Sequence, residues 1–359
     1  MIRRFLTLLN KTLPLIILTA IVCSGMLLGA CSSQKAFKVG FIYPGQVALD
    51  TFCALQDRGR LAIESEELSS MVAENIQSEK ALRTQVQTMA KAGCQVLFLS
   101  EDAALYPSSV LEALIGEYPQ VHFVLFDSQI TAKNASSYSV DLSEAAYLSG
   151  ILSAEQSQSK KLGFISLDAN AQSNLALNAF AAGALLIDED VLVYGLWSNS
   201  RYDPLREENA LQRVWVSDAD ICTGFARIPD MLLHSARVDR RCIAWLQYDA
   251  QAMDEVCIGA VTVDFAGYYR ELITSLQSEE EYIGTHRTAT IENGMVSFTA
   301  SNSSSKALSV LSQIKAGDHI LFKGPLKNQD GKELLLESQS FTNEEFMARN
   351  VYLENVVFP

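Results

Sequence analysis

Histidine is scarce in this chain of 359 residues: only His122, His234, His286 and His319 occur, and no two stand at a metal-ligand spacing. His122 falls inside an apolar strand pattern, where a satisfied interior imidazole is expected. The seven cysteines contain no C-x-x-C pair. Also missing are the G-x-x-x-x-G-K-[ST] loop, the G-x-S-x-G elbow, the H-E-x-x-H helix and the EF-hand loop. The acidic clusters at 64–67, 188–190 and 279–281 read as solvated helix ends and loops, not as paired catalytic carboxylates. The expectation is a protein that is not an enzyme and holds neither metal nor cofactor; a hydrolase would need a catalytic group that the sequence does not display. Positive charge is short as well, with 28 Lys and Arg against 42 Asp and Glu and a net charge of −14. Such a surface repels phosphate, which excludes nucleic acid as a partner.

What is present begins with a leader. Arg3 and Arg4 precede an apolar stretch that is broken by Lys11 and Pro14 and runs to Ala30, the layout of a secretory signal. Leu13–Ala30 is long enough to span a membrane, but it ends on Leu28-Gly29-Ala30-Cys31. That tetrapeptide resembles the lipobox of bacterial lipoproteins, with small residues that enter the signal peptidase and a thiol that accepts diacylglycerol. The expectation is a signal peptide at 1–30, lipidation at Cys31 and a polar tether over 31–36. Acyl chains would then hold the mature chain at a membrane, outside the cytoplasm. Losing Arg3, Arg4 and Lys11 would make the remainder three charges more negative. Beyond Cys31 five cysteines remain, an odd number, read as small core residues.

After the tether, apolar runs of strand length alternate with stretches of helical spacing. The strands are expected at 38–43, 95–100, 121–126, 162–167, 191–196, 220–223, 243–247 and 258–263. Helices are expected at 52–64, 77–92, 144–157, 172–187, 265–276 and 306–315. Alternation of this kind implies α/β architecture, with parallel sheets flanked by helices. The strands are about twice what one such sheet needs, so two lobes are expected. The polar stretch Thr131–Asp141 is the first boundary and Val261–Phe265 a second crossing. This gives an N-lobe at 37–140, a C-lobe at 141–262, and a 263–359 segment that returns to the N-lobe and ends in a crossover. Within it, 324–335 reads as strand–turn–strand with the turn at Asn328–Gly331.

Ligands of open α/β sheets lie beyond the carboxyl ends of the strands. The residues standing there are Tyr43, Asp50 and Phe52; Glu101 and Asp102; Asp127; and Asp168. In the second half they are Trp197, Arg201 and Tyr202; Phe225 and Arg227; Tyr248 and Asp249; and Asp264 with Phe265. Aromatics mixed with carboxylates and arginines provide faces to stack on and edges to bond, as a small planar or sugar-like ligand requires.

Several segments, in order, resemble the basic membrane protein (BMP) family. They are KVGFIYPG (38–45), DTFCALQDRGRLAIE (50–64), EAAYLSGILSA (144–154), KLGFI (161–165), AFAAGA (179–184), RYDPLREENAL (201–211) and KGPLKNQDGK (323–332). The family comprises bacterial substrate-binding lipoproteins of ABC transporters and includes purine-nucleoside receptors. The resemblance implies a two-lobed periplasmic-binding-protein type I fold, a small nucleoside-like ligand, an ABC permease as partner, and a monomer. It also implies that Phe52 stacks on the ligand and that Asp249 holds ribose hydroxyls. Cys53 stands where the family has Asn, Arg201 (beside Tyr202) where an aromatic is frequent, and Arg227 where a carboxylate is common. Asp264 and Phe265 replace a polar–aromatic pair. The ligand-binding set is therefore Phe52, Cys53, Asp102, Arg201, Tyr202, Phe225, Arg227, Asp249 and Asp264. The two arginines leave open an anionic ligand, and the altered positions leave open a sensing lipoprotein that kept the fold without transport.

Overall fold

The computed structural model describes residues 36–100, 105–199, 203–224, 230–246, 256–278, 284–302 and 305–359. The first part runs β1 (Phe37–Ile42), α1 (Thr51–Ile63), β2 (Leu68–Ala73), α2 (Glu79–Lys91), β3 (Val96–Leu99), α3 (Ser108–Glu117), β4 (His122–Phe126) and β5 (Ala135–Val140). Next come α4 (Ser143–Gln156), β6 (Lys161–Ser166), α5 (Ala171–Leu185), β7 (Leu192–Trp197), α6 (Pro204–Val216), β8 (Ile221–Gly224), α7 (Asp230–Arg237), β9 (Arg241–Trp245), β10 (Cys257–Val263) and α8 (Phe265–Gln277). The chain ends through β11 (His286–Ala289), β12 (Val296–Ala300), α9 (Lys306–Lys315), β13 (Phe322–Lys323), β14 (Leu326–Lys327), β15 (Glu333–Leu335), β16 (Ser340–Phe341), α10 (Asn343–Met347) and β17 (Val356–Val357). Among the described residues, no helix is long and apolar enough to cross a membrane.

Two sheets result. The first has the order β11-β5-β4-β3-β1-β2 and is parallel throughout. The second has the order β12-β10-β9-β8-β6-β7-β17, with only β12 antiparallel to its neighbour. β1 is the pattern in miniature: Val39 and Phe41 feed the core on one face, Ile42 the core on the other, all buried. Side-chain caps start the helices, with Asp50, Ser78, Asn170, Asp203, Asp264 and Ser305 each accepting a backbone N–H of the first turn.

The chain passes between the sheets three times: from β5 to α4, from β10 to α8, and from β11 to β12. These crossings are tied to one another. Asp141 N donates to Ala289 O at 2.9 Å, and Asp264 N to Met295 O at 2.8 Å. Ile291 N donates to Glu144 Oε2 at 3.0 Å. Asn343, which opens α10, reaches Asp141 Oδ2 at 3.1 Å and Ser143 Oγ at 2.8 Å. The tail then wraps α5, where the buried Asn178 bonds Val351 O and Leu353 N at 3.0 and 2.9 Å. The expected strand–turn–strand is present as β14 and β15, with Asn328 Oδ1 accepting from Asp330 and Lys332 and Gly331 at φ 73° closing the turn.

Within the polar Thr131–Asp141 stretch Ala135–Val140 forms β5, and the chain leaves the first sheet just after it. Its serines mimic a loop in sequence, yet their hydroxyls find partners on neighbouring strands. His122 Nε2 meets Ser136 Oγ at 2.9 Å, and His286 Nδ1 meets Ser137 Oγ at 2.8 Å. Once paired, a buried hydroxyl no longer opposes strand formation. His122 is thus the satisfied interior imidazole that the sequence implies, and burial lowers its pKa from 6.5 to about 4. Between these values the unfolded chain binds the proton and the folded one does not, so stability falls as pH drops through this window. The expected loss is roughly 3 kcal/mol at about 1.4 kcal/mol per pKa unit. A His122→Gln variant should show a flatter acid limb in melting temperature against pH; an unchanged limb would refute the assignment.

Candidate ligand-binding site

Three element ends meet at the carboxyl edge of the first sheet. At the start of α1, the buried Asp50 carboxylate accepts from Phe52 N at 2.9 Å and Cys53 N at 3.0 Å. This cap fixes the first turn and with it the Phe52 side chain. The Phe52 ring lies 4.9 Å from Phe126, the last residue of β4, and 5.8 Å from Phe265, the first of α8, which it meets edge to face. α1 and α8 approach closely at Gly59, where a Cβ would sit 3.0 Å from Phe265 Cβ and from the Tyr269 ring.

Beneath these rings lies Tyr138, 5.2 Å from Phe126 and 5.9 Å from Phe265, its hydroxyl 3.1 Å from that of Tyr269. Full burial pushes both phenols well above their ordinary pKa, so they stay neutral. Phe126 is only half-buried. The next residue, Asp127, is exposed and held in the left-handed region at φ 49°, its N–H donating to Tyr138 O at 2.7 Å. Asp264, just before Phe265, is exposed while one oxygen caps Ala266 N at 2.9 Å. A partly open aromatic face, with carboxylates on the segments that position it, can stack a flat ring and accept from hydroxyls or amines.

Of the residues expected at the ligand, the structure brings Phe52 and Phe265 together, with Asp264 adjoining. Phe52 is 7% exposed and Cys53 1%, so Cys53 sits in the core beside Leu55. Asp102, Arg201, Tyr202, Phe225, Arg227 and Asp249 lie outside the described residues, as do Cys31 and the leader. Tyr43 and Asp50, read as mouth residues, are instead interior. The Tyr43 hydroxyl donates to Asp57 Oδ1 at 3.2 Å, and Asp57 also takes Arg60 Nε at 2.6 Å. A buried phenol needs such an acceptor, and α1 provides it. On the second sheet Asp168 and Trp197 are half-buried, Asp168 accepting from Asn170 at 2.6 Å and Trp197 tilted against Phe358 at 6.1 Å. Phe126 and Tyr138 were missed by the sequence reading. Phe126 ends an all-apolar run that reads as core, and its position as the last strand residue was the available signal. Among the described residues, a groove of about 1160 Å³ lined by Tyr147, Leu185, His319, Leu326 and Leu336 holds none of those expected at the ligand.

The fold is that of type I periplasmic binding proteins. A solute-binding protein of an ABC transporter system from Conexibacter woesei DSM 14684 superposes with a TM-score of 0.65 at 14% identity, covering 79% of this chain and 98% of that one. A transcriptional activator of the comK gene from Bacillus halodurans gives 0.66 at 16% identity, over 78% and 98%. The family described as ABC transporter substrate-binding protein PnrA-like matches residues 36–324, and the chain belongs to it. A purine-binding protein of Brucella abortus (strain 2308) is 24% identical over 355 residues, 94% of this chain and 97% of that protein. The chain is thus a substrate-binding protein of the ABC transporter class, a family that works outside the cytoplasm.

Proposed function

We propose that this protein is the lipid-anchored receptor of an ABC importer and that it binds a purine nucleoside, or a close relative, between two lobes built on the two sheets. The observation that carries the ligand is the ring cluster of Phe52, Phe126 and Phe265 at the carboxyl edge of the first sheet, where β10 hands over to α8. Family membership and the name of the Brucella relative support it. The leader ending in Leu28-Gly29-Ala30-Cys31 supports attachment through Cys31, and the acyl chains leave the body free as a monomer facing a permease.

In this reading no bond is made or broken. Phe126 and Phe52 offer the aromatic wall, Asp249 accepts from ribose hydroxyls, and Arg201 and Tyr202 meet the base or another polar edge from the opposite lobe. The ligand bridges the lobes, so it favours the conformation in which both contact it, and the three crossings are the segments that bend. The permease reads that conformation.

A thermal-shift screen of nucleosides, bases, sugars and small acids on the chain tests this. A saturating nucleoside should add about 2.7 kcal/mol of stability at a hundred times its dissociation constant. If adenosine, guanosine and inosine all leave the melting temperature unchanged, the purine reading fails. Uptake of the hit by cells with and without the chain separates transport from sensing.

A further inference from the structure

Three of the described cysteines stand side by side at the amino ends of neighbouring strands. β8 and β9 pair Cys222 with Cys242, and β9 and β10 pair Cys242 with Cys257. Residues directly opposite on regular strands project from the same face, so Cys222 and Cys242 share one, and Cys257, opposite Cys242 where the β10 register shifts, completes a row of three. Cys222 and Cys242 are 0% exposed and Cys257 3%, under a cover that includes Val214, Trp215 and Met231. Strand register sets Cys257 opposite Cys242, the Cys257 thiol donates to Gly259 O at 3.3 Å, and no disulfide joins the two in the structure. Cys53 and Cys94 belong to other cores, Cys94 resting against Met71 Sδ at 3.7 Å.

A metal does not explain the row. Its thiols lie in a line rather than round a point, and among the described residues no three His, Cys, Asp or Glu side chains are grouped to hold an ion. Neighbouring strands run about 4.8 Å apart, within the roughly 4.4–6.8 Å between Cα atoms that a disulfide spans. Cys242, in the middle, can bond only one neighbour at a time, and the ring to Cys257 is shorter in sequence than the ring to Cys222, so it closes at the lower entropy cost.

We propose that Cys242 and Cys257 are a disulfide-forming pair, oxidised as the chain folds outside the cytoplasm by a thiol–disulfide oxidoreductase in its disulfide form. The Cys242 thiolate attacks one sulfur of the oxidant, giving a mixed disulfide and releasing the other sulfur as thiolate. The Cys257 thiolate then attacks Cys242 Sγ, forming the protein disulfide and releasing the second oxidant thiolate. The two thiol protons pass to the two released thiolates, so the protein loses two electrons and two protons and the oxidant gains them. The timing follows from the folded sheet: the neighbouring Cys257 and then burial raise the pKa of the Cys242 thiol, and burial raises that of Cys222, so both stay protonated once the sheet is covered. Exchange therefore belongs to the folding chain. The closed ring contains Asp249, so the link would staple the base of the segment that carries it.

This rests on the extracytoplasmic part of the reading above and not on its ligand. The test is alkylation of the exported full chain, extracted in detergent, denatured without reductant and mapped by peptide mass. Of the five cysteines beyond Cys31, three should take the label. Peptides carrying Cys242 and Cys257 should be joined, lighter by two hydrogen atoms. Cys222→Ser should keep the link and Cys242→Ser should abolish it. A link from Cys242 to Cys222 would overturn the assignment. Refolding the reduced wild-type chain in glutathione and glutathione disulfide repeats the measurement without export. A Cys242–Cys257 link there, with five labelled thiols in the cell-made chain, would count against the extracytoplasmic premise and leave the pairing standing. Five labelled thiols in both would remove the pairing.

Discussion

Replacing Gly150 with valine is expected to leave little folded protein. Gly150 of α4 and Gly183 of α5 lie where the two helices touch backbone to backbone. A Cβ at Gly150 would stand 2.0 Å from Phe180 O, and one at Gly183 would stand 2.0 Å from Tyr147 O. Overpacking a core usually costs about 1–3 kcal/mol because side chains rotate aside. Here the obstructing atoms are carbonyls inside helices, so relief requires separating α4 from α5, and a loss above about 3 kcal/mol is expected. Urea or thermal unfolding reads it. Gly150→Ala should move the same way by less. Gly116 in α3 has nothing within 4 Å of its would-be Cβ, and Gly116→Ala should be neutral or stabilising by up to about 1 kcal/mol. Equal stability of Gly150→Val and the parent would mean that α4 and α5 do not pack this way.

The second large effect concerns affinity. Asp249→Ala should weaken binding of the nucleoside hit about 10- to 100-fold, the range for a lost hydrogen bond to a charged group. The role assigned to Asp249 makes a sharper demand. With a 2′-deoxynucleoside the penalty should shrink, because one of the hydroxyls it accepts from is already gone, and the double cycle isolates that coupling. Titration calorimetry of both proteins with both ligands gives the four affinities. An identical penalty for the ribo and deoxy ligands would place Asp249 away from the 2′-hydroxyl.

β1, β3, β4 and β6 to β10 were legible in the sequence because neighbours cover both faces, so burial leaves an apolar run. The sheet-edge strand β2, Leu68–Ala73, was not, its serines and exposed Val72 breaking the pattern. β5 was not legible: its Ser136, Ser137 and Ser139 are strand residues only because His122, His286 and Thr288 on the adjoining strands meet their hydroxyls. Such partners are known after pairing, not before. β11 and β12 hid for a related reason, since each is a short strand at the edge of its sheet that mixes polar with apolar residues. The site was legible by halves. The rule that ligands lie beyond strand ends picked out Phe52 and Phe265, whose rings meet at the edge of the first sheet, and the exposed Asp127, but it put Tyr43 at the mouth when the structure buries it. It overlooked Phe126, whose ring belongs to the core on one side and is open on the other.

The tail carries a consequence for association between molecules. β17 lies along β7, Val356 against Val193 and Val357 against Tyr194, and the Arg213 guanidinium holds the Pro359 carbonyl. β7 therefore has its outer hydrogen-bonding groups met by the chain's own last residues. A protease that clipped after Leu353 would take Val356 from the core and bare that row of amides and carbonyls, a template for strand addition. The same molecule would then be prone to pair with its neighbours in solution.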